Sequence, residues 1–284
     1  MSTQSKVSEF FNFSTSNPQA NWGEILQTQP CGYLGRKCVK VRKSSPEISI
    51  GTCTVRYGST GQDVIICPHR LVEKRKIFLD CLHLLTLHEP GNELHVVSEI
   101  SIPGGSVDYF LVSARHDKVI DFVGIELQTM DTTGTVWPER QRFLAEIGLL
   151  PATDQIAEKS FGMNWKMTAK TILVQLHHKI QTFEHLGKRL VLVVQDHLLN
   201  YVQREFSFGH VHTQALLGDS MHFHAYGLAK GADNNYHLGL KNRCSTDSDG
   251  IALCLGLQAQ ARVELEIIVQ RLEAKLSQRT LLTL

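Results

Sequence analysis

The stretch Val119 to Leu127 places apolar, often β-branched side chains on alternate positions and runs into Gly124-Ile125-Glu126-Leu127-Gln128-Thr129. This pattern predicts a mostly buried strand. Side chains alternate across a strand, so Glu126 and Gln128 share one face while Ile125 and Leu127 enter the core on the other. An acid in such a strand is costly unless something pairs it, and a divalent cation is one natural partner. Asp108 opens the preceding strand, predicted over Tyr109 to Val112 after the turn Pro103-Gly104-Gly105. A hairpin pairing of the two strands would set Asp108 beside Glu126. Acids recur at this spacing by chance, mostly on solvated faces, so the surrounding elements must carry the weight.

Those elements come in a definite order. Leu71 to His88 carries Leu71, Ile77, Phe78, Leu82 and Leu85 at helix-like spacing and stops at Glu89-Pro90-Gly91. Strands follow at Leu94 to Ile102, at Asp108 and at Glu126. Thr168 to Leu186 then sets Ile172, Leu173, Leu176, Ile180 and Phe183 on one helical face and ends at Gly187, the expected C-cap. Leu190 to Val194 is a short apolar strand. The expected fold is therefore α/β (α+β), with a mixed central sheet flanked by helices.

Cys31, Cys38, Cys53 and Cys67 form a second feature. Met1-Ser2-Thr3-Gln4-Ser5-Lys6 lacks the apolar core of a signal peptide, so a reducing compartment is expected and disulfides are not. Four thiolates can close a tetrahedral site around zinc or iron and so organise a turn-rich segment poor in apolar residues. The spacing is not that of a zinc ribbon, and ordinary buried thiols are the competing reading. Cys81, Cys244 and Cys254 fit that simpler reading better.

The segments Cys31-Gly32-Tyr33, Lys37-Cys38-Val39-Lys40, Ile50-Gly51-Thr52-Cys53-Thr54-Val55 and Ile66-Cys67-Pro68-His69-Arg70 resemble the cysteine region of the NotI-type restriction endonucleases. Val107-Asp108-Tyr109-Phe110-Leu111 and Ile125-Glu126-Leu127-Gln128-Thr129, on through Asp131 to Trp137, resemble that family's catalytic region. The order helix, three strands, helix, strand matches the PD-(D/E)xK nuclease core. Ser8-Glu9-Phe10-Phe11 looks like the family's opening helix. The motif likeness covers roughly the first half of the chain; beyond about Trp165 only the order of elements matches.

The resemblance implies a cytoplasmic bacterial type II endonuclease that cuts double-stranded DNA at a palindromic site with Mg²⁺, as a homodimer, alongside a cognate DNA methyltransferase. Asp108, Glu126 and Gln128 would take the three catalytic positions, with Asp108 and Glu126 holding Mg²⁺. Cys31, Cys38, Cys53 and Cys67 would hold a structural iron, with zinc as the other candidate. Many relatives carry lysine where Gln128 stands; glutamine cannot supply a charge or act as a base, but its amide can orient a water. The chain is short for the family. Two further readings are a DNA-binding module with an inactive nuclease core, and a structure-specific repair nuclease.

A chain of 284 residues with 42% hydrophobic content can bury a sizeable core, and no apolar run is long enough to span a membrane. The formal net charge of +1 gives no global field for DNA. Basic residues cluster instead. Arg36, Lys37, Lys40, Arg42 and Lys43 lie between two cysteines, and Arg70, Lys74, Arg75 and Lys76 follow the fourth. Arg36, Lys37, Lys40, Arg140 and Arg142 are the expected DNA contacts, although either cluster alone is as readily a solvated face. Glu99 is a further acid that leans toward the metal or sits as a strand-end surface charge. Among 14 histidines, His210-Val211-His212 and His222-Phe223-His224 would each share a strand face, as a metal site, a DNA contact or simply as partly buried or surface histidines.

The expected division is 1–69, an N-terminal helix with the cysteine region, and 70–284, a nuclease core. That core carries an insertion from Thr132 to Lys166 and a C-terminal part. There, Ala232 to Asn235 and Asp247 to Gly250 are expected turns, and Val263 to Leu276 an amphipathic helix.

Overall fold

The computed structural model describes residues 4–256, 269, 270 and 274. The expected amphipathic helix from Val263 to Leu276 lies, but for 269, 270 and 274, outside them. Residues 7–65 build a small four-stranded sheet from β1 (Val7–Phe10), β2 (Phe13–Ser14), β3 (Thr52–Tyr57) and β4 (Gln62–Ile65), in the order β2-β1-β3-β4. The helix expected at Ser8 to Phe11 is thus a strand. All four residues of β1 are buried, whereas a helix there would expose one side. The first helix, α1 (Trp22–Thr28), comes later and is capped by the Asn21 side chain on the Glu24 amide.

Leu71 to His88 does not form one helix. Two short 3-10 turns flank α2 (Lys76–Leu79), and the chain kinks where Glu73 (φ −46°, ψ 123°) and Lys74 (φ 49°) leave helical geometry. The kink delivers the Glu73 carboxylate to Arg70 Nη1 at 2.8 Å and to the Leu238 amide at 2.6 Å. Arg70, read from sequence as part of a basic cluster, is fully buried. Its Nε donates to Glu9 at 2.8 Å and its Nη2 to the Tyr236 carbonyl at 2.9 Å. Replacing Arg70 by methionine should strand the buried Glu9 carboxylate and cost about 3–5 kcal/mol, and Glu9→Leu in the same chain should recover most of it. Urea unfolding of the single and double variants measures both; an Arg70→Met chain as stable as wild type would refute the pairing.

The principal layer is a six-stranded mixed sheet of β5 (Glu93–Ile102), β6 (Gly105–Arg115), β7 (Lys118–Gln128), β8 (Arg189–Gln195), β9 (Met221–Lys230) and β10 (Tyr236–Thr246), in the order β10-β9-β8-β7-β6-β5. β5, β6 and β7 form an antiparallel meander, β8 and β9 run parallel to β7, and β10 returns antiparallel. On one face lie α4 (Trp165–His185), α5 (Asp196–Glu205) and α6 (Ser248–Cys254), burying Ile172, Leu176, Ile180 and Phe183 against Phe110, Leu190, Leu192 and Phe223. On the other, the broken segment 68–85 packs Leu71, Ile77, Phe78 and Leu84 onto Leu111, Val123, Ile125 and Val193. The molecule is a mixed α+β protein with six helices among the described residues. None of them is long and apolar enough to cross a membrane.

The remaining helix, α3 (Trp137–Glu146), lies in the expected insertion and packs Phe143 and Leu144 against Val7, Phe10 and Ile25. The sequence segment 137–146 therefore completes the core of the N-terminal sheet. Ala232 to Asn235 is the expected turn, but Asp247 to Gly250 is the start of α6, with Asp247 accepting from the Gly250 amide.

Candidate functional site

β6 and β7 pair, with a bulge between Ser113 and Ala114, as far as Tyr109 opposite Ile125. Beyond that pair, the Asp108 carboxylate accepts the Leu127 amide at 2.8 Å, taking the place of a backbone acceptor. β7 continues on its other side, with Glu126 opposite Leu192 and Gln128 opposite Val194 of β8. The sheet is thus held on one side of Glu126 and bridged by a side chain on the other. Opposite Asp108, Glu99 takes φ 56°, a left-handed conformation unfavourable for a glutamate. Glu99 and Asp108 line a cleft of about 250 Å³ with Ser98, Tyr109, Leu127, Pro68 and His69.

Glu126 is buried on the α4 side of the sheet. Lys179, nearly as deep, places Nζ 2.6 Å from its Oε1. Burial pushes the Glu126 carboxyl up to about 7; Lys179 works against that rise, and the Asp108 charge adds to it. Two glycines allow this approach. A Cβ on Gly124 would meet Phe183 at 2.3 Å, so only glycine lets α4 lie this close to β7. At Gly104 (φ 95°) a Cβ would meet the His178 carbonyl at 2.2 Å, and Thr182 Oγ1 donates to the Pro103 carbonyl at 3.1 Å. The β5-β6 turn and α4 are thereby locked together around Lys179.

Sequence reasoning missed Lys179. Its signal was a cation on an apolar helical face, three residues after Leu176 and four before Phe183, which needs a buried partner. Gln128 is half-buried and donates from Nε2 to the Thr129 carbonyl at 2.7 Å. The structure joins Glu126 to Lys179, with the Asp108 charge close enough to act on Glu126, and sets Asp108 with Glu99 in the cleft, whose lining does not include Glu126; Gln128 lies two residues beyond Glu126 on β7.

Cys31, Cys38, Cys53 and Cys67 are all buried, free of disulfides, and line one cavity of about 10 Å³ with Phe11, Asn12, Pro30, Lys40, Gly51 and Thr52. Burial raises the Cys31, Cys53 and Cys67 thiols, and neighbouring thiols raise each of them further; Lys40 opposes this at Cys67. A buried set of four sulfurs that resists ionisation alone suits a soft or borderline cation, while the oxygen donors Asp108, Glu126 and Glu99 suit a hard one. Among the described residues, no group of three or more His, Cys, Asp or Glu side chains is placed so that it could hold a metal ion as the chain stands; the four thiols line one cavity, whereas Glu126 lies outside the cleft that Asp108 and Glu99 line.

The basic residues divide. Arg36 and Lys37 are exposed on a two-residue strand, and Lys37 Nζ donates to the Glu47 carbonyl. The Arg36 charge reaches the cleft: after burial, it and Lys40 hold His69 below the usual imidazole range. Lys40 is half-buried and donates to the Ile66 carbonyl at 3.1 Å. Arg140 is buried, its guanidinium 4.6 Å from the Trp137 ring and 5.6 Å from that of Phe10. Burial lowers it to about 10. Arg142 is tied to Glu139 at 2.6 Å and to the Ala157 carbonyl. Arg140 and Arg142 are thus engaged inside the chain, because α3 turns its basic face onto the N-terminal core.

His222 and His224 share a face of β9, as alternation requires, and both are buried with one ring nitrogen unpaired. Burial lowers His222 to about 4 and His224 to about 2, with Arg243 and His83 adding to the effect at His224. In the unfolded chain both protonate near pH 6.5, so unfolding takes up protons below that value and stability falls as pH drops. The expected loss is about 2 kcal/mol per histidine between pH 6.5 and 5. Urea unfolding at pH 7 and pH 5, beside a His222→Gln/His224→Gln chain, reads it; identical pH slopes in the two chains would dismiss the effect. His210 and His212 instead bond to the Gly250 carbonyl and to Asp219.

Neither a protein-family model, nor a curated protein, nor a solved structure matches this chain.

Proposed function

We propose that the chain is a type II restriction endonuclease, a Mg²⁺-dependent enzyme that cuts double-stranded DNA at a palindromic site through a PD-(D/E)xK-like core. The observation that carries this reading is the ion pair of Glu126 with Lys179 beside Asp108, where β6 and β7 part at the edge of the cleft. The meander β5-β6-β7, the crossover α4 and the parallel strand β8 supply the element order of such a core. Asp108 and Glu126 are the residues that would hold Mg²⁺, with Glu99 beside Asp108 in the cleft. A magnesium ion bound there supplies a hydroxide at neutral pH and charge on the phosphoryl oxygens.

The chain's own residues do the rest. Lys179 opposes the rise that burial imposes on the Glu126 carboxyl, favouring its ionised form, and brings to the site the positive charge that Gln128 cannot. The Leu127 amide holds Asp108 in one rotamer, so the carboxylate is positioned before substrate arrives. The Gln128 amide, once released from Thr129, is placed to orient a water. Arg36 lies beside the cleft and is suited to a phosphate. The cysteine set supports a structural iron or zinc that holds the Arg36 segment against this cleft. A second copy of the chain is supported by β5, which among the described residues is an edge strand with one free side and exposes Leu94, Val96, Val97 and Ile100.

The test is incubation of the purified chain with long unmethylated duplex DNA and Mg²⁺, with EDTA as control, followed by sequencing of the ends. Discrete fragments sharing one palindrome, lost with EDTA, are expected. Cutting only at branches would turn the reading to a repair nuclease. Binding without cleavage by metal-loaded protein would turn it to a DNA-binding module.

A further inference from the structure

A second cavity, of about 290 Å³, opens between the start of α4 and α5 and is lined by Trp165, Tyr201, Arg204, Asn200, His197 and Gln62. Its walls are aromatic planes edged by hydrogen-bonding groups. The Trp165 and Tyr201 ring centroids are 5.6 Å apart at 38°, and the Arg204 guanidinium lies 5.4 Å from the Tyr201 ring. Gln62 Nε2 and His197 Nδ1 meet at 3.3 Å on the opposite rim. The volume is that of a small-ligand site, and the lining offers flat faces for stacking, amide and imidazole groups for a polar edge, and a guanidinium for an anion.

Its position follows from the parallel strands. β7 and β8 run in the same direction, so Gln128 and Gln195 end at the same edge of the sheet, and His197 follows directly from β8. Glu126 pairs with Leu192, five residues before His197. Three residues at strand rise to Gln195 and two at helix rise to His197 make that separation roughly 10–15 Å. Along a duplex this is about three to four base-pair steps.

We propose that this cavity binds one unstacked nucleobase, with its phosphate toward Arg204, on the same nucleic acid strand that reaches Glu126. The inference rests on the nuclease reading for its ligand. The contacting Trp165 and Tyr201 rings form one aromatic wall on which the base stacks, and Asn200, His197 and Gln62 meet its polar edge. Base stacking on aromatic side chains tolerates every sequence, so the site adds affinity more than recognition.

The experiment uses the full chain carrying Glu126→Ala and fluorescence anisotropy with two labelled ligands, a short oligothymidylate and an abasic backbone of the same length. The oligothymidylate should bind about tenfold more tightly. That preference should fall to near unity in Trp165→Ala, whereas Arg204→Ala should weaken both ligands several-fold, since both carry the phosphate. Arg204 is exposed, so its variant keeps the proposal testable if the tryptophan variant does not fold. An undiminished preference for bases in a folded Trp165→Ala, unchanged affinity for both ligands in Arg204→Ala, or no preference in the parent, overturns the proposal. Duplex cleavage by the wild-type chain is scored separately: if it persists, the nuclease reading stands without this pocket, and if neither cleavage nor binding of any DNA occurs, both fall.

Discussion

Glu126→Ala should abolish Mg²⁺-dependent cleavage, by on the order of 10³-fold or more, and Lys179→Met should lose nearly as much while also weakening the fold. The two effects arise from one buried pair 2.6 Å apart. Removing either partner leaves a charge in a site with almost no solvent, at a cost of about 3–5 kcal/mol. Replacing both, as Glu126→Leu/Lys179→Met, removes the stranded charge and should return stability to near the wild-type value while cleavage stays absent. That double variant separates the roles, since a purely structural pair would leave cleavage intact once stability is restored. Lys179→Arg should retain the charge and part of the activity. Gln128→Lys should keep metal-dependent cutting, and Asp108→Ala should lose it. Cleavage by the Asp108→Ala or Glu126→Ala chain would sink the assignment.

Loss of the metal proposed for the four cysteines should have the other large effect, on stability. Cys53→Ser, or prolonged chelation, should lower the thermal midpoint of the N-terminal region steeply, because metal binding to four thiolates contributes about 10 kcal/mol or more to folding in small zinc domains. One metal ion per chain is expected by elemental analysis, iron or zinc, and less than half of that in Cys53→Ser. Cys244→Ala is the control: burial pushes its thiol up to about 12, it lies in the main core outside the four-cysteine cavity, and its metal content should match the wild type. A fully stable wild-type chain purified without metal would dismiss the site. The Arg36 segment lies between two of these cysteines, so DNA affinity should fall with the metal even though the proposed catalytic residues are untouched.

Much of the central sheet was legible because alternation is a local signal. β5, β6, β7 and β8 were each expected within a few residues, and α4 declared itself by a continuous apolar stripe ending at Gly187. Helix-like spacing from Leu71 to His88 misled because the run obeys a different demand: Glu73 must reach Arg70 and the Leu238 amide, and that pairing breaks the helix. The same holds for β1, whose buried Glu9 is satisfied only by Arg70, Thr54 and Tyr33 from distant parts of the chain.

Sequence alone determined which residues alternate, which cysteines were candidates for one site, and that Asp108 and Glu126 occupy neighbouring strands, since all of these follow from spacing along a single chain. Tertiary structure decided that Lys179 completes the Glu126 pair, that Arg70 and Arg140 are interior, and that the four thiols face one cavity. Each of these is settled by groups far apart in sequence removing one another from water, where an unpaired charge is costly and its partner can come from anywhere the fold brings close.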